Sequence, residues 1–124
     1  MTDGLDAIVG GKMWLEYFDQ NVTFERAFTS QYCKVLERFT GVDREEDWYL
    51  VKLEIPVEYE GAEYGHLMIG SRWVGGLIGS KEETAVFIVL VPDPEAITRP
   101  FKMDRSLCVA WGFTAPHPDD IRRR

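Results

Sequence analysis

A chain of 124 residues, 45% apolar and 28% charged, has the make-up of one soluble globular domain, long enough for a single hydrophobic core and too short for two. Fourteen Lys and Arg oppose 21 Asp and Glu for a net charge of −7, and all of the excess lies early: Met1 to His66 carries 6 basic and 14 acidic residues, Leu67 to Arg124 carries 8 and 7. Such a chain repels nucleic acid and anionic membrane, and its expected partners are basic surfaces.

The first twelve residues read as a loose lead-in, and Met13 to Phe18 as a short helical turn. Thr23 to Phe39 predicts the principal helix. At about 100° per residue, Phe24, Phe28, Tyr32, Val35 and Phe39 share a narrow arc, with Glu25, Arg26, Lys34 and Glu37 opposite. Asn21 or Thr23 can cap its start and Gly41 its end. Beyond the acidic connector Asp43 to Asp47, Trp48 to Glu60 alternates as a strand. Tyr49, Val51, Leu53, Ile55, Val57 and Tyr59 point one way, and Lys52, Glu54, Pro56, Glu58 and Glu60 the other. Pro56 has no N–H to give a ladder, so the strand is expected to be an edge, or bulged there.

A tight turn at Glu60-Gly61 or Gly61-Ala62 makes a hairpin that conserves facing, so Tyr64, His66 and Met68 are expected on the apolar side. Arg72 to Ile78 reads as a third strand, Thr84 to Val91 as a central strand apolar on both faces, and Leu107 to Phe113 as a last strand. Pro92, Pro94 and Pro100 punctuate a surface connection with one helical turn at Glu95 to Ile97. The sum is an α+β fold: an antiparallel meander of four to five strands with one principal N-terminal helix on a face. A single domain is expected over 1–114, with a mobile tail over 115–124. The far face of the central strand also needs cover, from residues 1–18, the Pro-rich connection or a second subunit, and a homodimer is the favoured expectation.

The chemistry-bearing patterns are few. Two cysteines, Cys33 and Cys108, lack CxxC spacing and suit a reducing, cytoplasmic setting. The N-terminus is acidic where an export signal is basic, and the longest apolar run, Ala85 to Val91, is far short of a membrane span. No HxxxH, HExxH or Asp-rich loop appears, so neither metal nor cofactor is expected. Glycines in Arg72 to Gly79 lack the helix that would complete a phosphate loop.

The distinctive feature is an acidic ladder. Asp43, Glu45, Glu46, Asp47, Glu54, Glu58, Glu60 and Glu63 stand against Arg44 and Lys52 alone. With Trp48 as an aromatic anchor, they form the expected surface of a non-enzymatic inhibitor or adaptor that occludes a basic, anion-binding or nucleic-acid-binding site on a partner protein. The bland alternative is an edge strand protected by charge against aggregation. Two rivals from other classes are an assembly subunit that self-associates through a sheet edge or apolar face, and a small-molecule binder or enzyme with a pocket furnished by Tyr59, Tyr64, His66 and Arg72.

Overall fold

The computed structural model describes residues 9–17, 30–42, 47–71 and 83–120. Six strands dominate them: β1 (Lys12–Tyr17), β2 (Gln31–Thr40), β3 (Asp47–Tyr59), β4 (Ala62–Ser71), β5 (Thr84–Leu90) and β6 (Cys108–Ala115). Each pairs antiparallel with the next, and β6 returns to pair with β1 through Trp14↔Ala115 and Leu15↔Thr114, closing a barrel in sequence order. Two short 3-10 turns, Pro94–Ala96 and Pro118–Asp120, are the only helical structure among the described residues.

The α+β expectation is therefore overturned: the fold is all-β. The principal helix fails where it can be checked, because Gln31–Thr40 is a strand between β1 and β3; its first half, including Phe24 and Phe28, falls outside the described residues. The arc of Tyr32, Val35 and Phe39 fits a helix and a bulged strand equally well. Val35 points into the barrel, Leu36 sits in a register shift between Val35 and Glu37, and Phe39 beyond it faces outward. A bulge resets the two-residue period, so three aromatic and branched residues at near-helical spacing serve two faces of one strand. Met13 to Phe18 likewise reads as strand through Tyr17 instead of a helical turn. The expected third strand, Arg72 to Ile78, lies outside the described residues.

The barrel interior is filled by Met13, Leu15, Cys33, Val35, Tyr49, Val51, Leu53, Val57, Leu67, Ile69, Val86, Ile88, Leu90 and Ala110. A second core lies on the outer wall. Phe39, Trp48, Leu50, Met68, Val89 and Val91 are covered there by the β5–β6 connection, with Phe101 buried and Ile97, Met103 and Leu107 packed against it. This connection is a strap. Its Pro-rich sequence cannot continue a strand, yet backbone bonds pin it: Phe101 N–H donates to Thr40 O at 2.7 Å, Val42 N–H to Phe101 O, and Leu90 N–H to Leu107 O. Of the three covers expected for the far face of β5, the Pro-rich connection is thus the one seen, and no second subunit is required for it.

Candidate functional site

The acidic ladder becomes a structural object at the end of the β3–β4 hairpin. Pairing with β2 stops at Cys33↔Leu53, and pairing with β5 stops at Leu67↔Leu90. Beyond those points the register of β3 on β4 jumps from Lys52↔His66 to Val57↔Tyr64, so Leu53 to Pro56 bulge opposite Gly65 alone. Pro56 falls inside this bulge, where its missing N–H costs no ladder bond. The buried amide of Gln31 stitches the bulge to β2: its Oε1 accepts from the N–H groups of Glu54 and Ile55, both at 2.8 Å, and its Nε2 donates to Ile55 O at 3.0 Å. The hairpin then bends back over the barrel end, where Val57 joins the interior core and Tyr59 and Tyr64 pack against it.

The outward side of this cap is acidic. Glu54, Glu60 and Glu63 are exposed and Glu58 is partly so. From Leu53 to Gly65 there are four carboxylates and no Lys or Arg. Glu58 stands directly across from Glu63, an arrangement that costs stability because like charges face each other at cross-strand distance. Ile55, 41% exposed, adds an apolar contact to the same bulge. The turn is Glu60-Gly61, with φ of 49° and 79°, the left-handed pair that matches strand twist in a two-residue loop.

Other members of the expected patch do not join it. Asp47 sits at the opposite end of β3 from Glu58 and lies 3.9 Å from Arg38. Trp48 is buried, its ring flat against Gly70, where a Cβ would come within 2.5 Å, and 5.1 Å from Phe101. It anchors the strap, so the aromatic-anchor role is withdrawn. Asp43, Glu45 and Glu46 lie outside the described residues.

The expected pocket is also rearranged. Because the bulge adds an odd number of extra residues to β3, His66 opposes Lys52 and, like Met68, faces outward instead of joining the apolar side of Tyr49 and Val51, while Leu67 and Ile69 enter the barrel. Tyr59 and Tyr64 face the core, so His66 does not share their surroundings; Arg72 lies outside the described residues. Partial burial and the neighbouring Lys52 ammonium hold the imidazole below its usual pKa. Cys33 donates its thiol to Met13 O at 3.3 Å, and burial pushes its pKa up to about 12. It is a packing residue without nucleophilic character.

Two concavities flank the strap. A groove beside its middle is formed by Arg38, Phe39, Thr40, Arg99 and Pro100; there Arg99 pairs with Glu37 and its guanidinium lies 4.5 Å from the Phe39 ring centroid. A cavity of about 260 Å³ lies between the strap and β5, mostly apolar, with Asp93, Lys102 and Asp104 among its lining. Among the described residues no three His, Cys, Asp or Glu side chains gather as a metal site, and no helix is long and apolar enough to cross a membrane.

The chain matches no protein-family model, no curated protein and no solved structure. Function must therefore come from the geometry. Sequence reading missed Gln31 and the strap cavity. A lone Gln in a helical-looking window carries no signal of its own, although a proline within an alternating strand marked where a stitch was needed.

Proposed function

We propose that the chain is a non-enzymatic acidic binding module, an inhibitor or adaptor, that engages a basic protein surface through the outer side of the β3–β4 cap. The observation that carries this reading is the density of charge at the cap: four carboxylates without a basic residue from Leu53 to Gly65, two of them directly opposed. Glu54, Glu60 and Glu63 are exposed, with no cation at ion-pair distance among the described residues. Ile55 supplies the apolar contact expected of Trp48. Binding by this surface is occlusion: carboxylates occupy the place where the partner otherwise meets an anion, with fast, salt-sensitive association.

The closed barrel supports this reading over self-association through a sheet edge, since each strand has a neighbour on both sides. It also narrows the edge-protection alternative to the short stretch beyond Leu53 and Leu67, because the rest of the two strands is internal to the barrel.

The test compares wild type with Glu54/Glu58/Glu60→Lys, each immobilised in cell lysate at low and moderate salt. A basic protein retained by wild type, released by salt and lost by the variant supports the module. Identical capture by both would sink it, as would a variant that gains oligomers while wild type binds nothing, the signature of edge protection.

A further inference from the structure

We infer that the cavity between the strap and the outer wall of β5 is a binding site for a small amphiphile with an apolar body and an ammonium head. Its walls include Val91, Ile97 and Phe101, and its volume of about 260 Å³ lies just below the range of drug-sized pockets, so the body it accepts is a short chain or one ring. Phe101 and Leu107 are tied by backbone bonds to Thr40 and Leu90 and pack onto the outer wall, and the concavity opens to solvent beside them.

The polar lining selects the head. Asp93 Oδ1 accepts from Glu95 N–H at 3.0 Å to cap the 3-10 turn, and Asp104 Oδ1 accepts from the N–H and hydroxyl of Ser106 at 2.9 and 2.6 Å. In both, the local turn uses Oδ1 only. Oδ2 of each, free of hydrogen bonds and ion pairs among the described residues, remains to accept from a ligand. The hydrogen bonds from Ser106 hold the Asp104 carboxyl below its usual pKa, so it stays charged well into acid. Two carboxylates outweigh the single Lys102 ammonium, and the molecule's net charge of −7 adds to the preference for a cation. A carboxylate-headed amphiphile would meet Lys102 alone and be repelled by the pair.

Three ligands with the same eight-carbon body decide the matter: octylammonium, octanol and octanoate, each titrated into the 15N-labelled protein while amide shifts are followed. Octylammonium is expected to move the amides of Ile97, Phe101 and Lys102 and to bind roughly fivefold or more tightly than octanoate, the advantage of about one favourable charge contact near water. Asp93→Asn/Asp104→Asn keeps both turn caps through the amide oxygen and should erase that preference while octanol binding stands. Ala96→Phe, which fills the cavity, should abolish all three titrations. No localised shift with any ligand, equal binding of the three, or tighter binding of octanoate would overturn the assignment. The wild-type comparison decides even if a variant folds poorly, and none of these results bears on the acidic cap, which lies on other residues.

Discussion

Gln31 shows how one side chain can replace a strand neighbour. The bulge in β3 breaks the ladder at Glu54 and Ile55, and two N–H groups and a carbonyl would lose their partners at a partly buried place. Each such orphan costs about 1–3 kcal/mol. Gln31→Leu is therefore expected to destabilise the protein by about 2–4 kcal/mol in urea unfolding. Gln31→Glu, which keeps the acceptor and loses the donor, should cost less. Equal losses for the two would mean that packing, not the stitch, is what Gln31 supplies.

His66 gives a residue-scale expectation for pH. Its pKa in the fold lies below the ordinary 6.5, first because of burial and then because of Lys52. The unfolded chain thus binds the proton more readily, so stability is full above about pH 6.5 and falls as pH drops through 6.5 towards the folded value. Lys52→Gln removes the facing ammonium and should raise the His66 pKa in an NMR titration, shrinking this acid loss. A Lys52→Gln variant with an unmoved His66 would show that burial alone sets the shift.

At the scale of elements, the β3–β4 hairpin joins a favourable turn to an unfavourable residue in it. Glu60 adopts φ of 49°, where the Cβ of most residues crowds the backbone, and Asn is the residue that tolerates this conformation best before Gly61. Glu60→Asn should raise stability by about 0.5–1 kcal/mol in thermal or urea melts. The same change removes one carboxylate of the cap. If the melting temperature rises while capture of a basic partner falls, the native Glu60 trades stability for charge; if stability falls, the side chain holds a structural role that the turn geometry does not reveal. The strap shows the opposite economy. A Pro-rich segment that cannot join the sheet still buries an outer face, because Phe101, Ile97 and Met103 reach down onto Trp48 and its neighbours, and backbone bonds hold it at its middle, through Phe101, and at both ends, through Val91 and Leu107.

For the whole molecule, closure decides what solvent can reach. Cys33 lies inside a continuous wall of six strands and reacts only when the wall opens, whereas Cys108 lies on the outer wall under the strap and is partly exposed. Burial raises both thiols, Cys33 the more strongly. A disulfide reagent at pH 8 should therefore modify Cys108 first, and Cys33 at the rate of global unfolding. Parallel labelling of both would mean that β1 and β2 separate locally.

The sequence alone determined the features that repeat at short range. The alternation of Tyr49 to Leu53, the turn beside Gly61, the disruption at Pro56, the two-faced apolar β5 and the carboxylates from Glu54 to Glu63 are all local properties of pattern and residue type, whereas Ile55, expected on the apolar side, is exposed by the bulge. Tertiary structure decided everything that depends on parity or on distant pairing. A bulge of one residue in β2 disguised a strand as a helix, and the bulge stitched by Gln31 turned His66 and Met68 outward. Trp48 passed from a surface anchor to a buried one once the strap lay over it. Closure of the barrel rests on β1 meeting β6, a pairing across about a hundred residues for which periodicity within either strand carries no signal. Side-chain facing in a strand reverses with every residue added, so a single unpaired residue far from a site can decide which groups meet there.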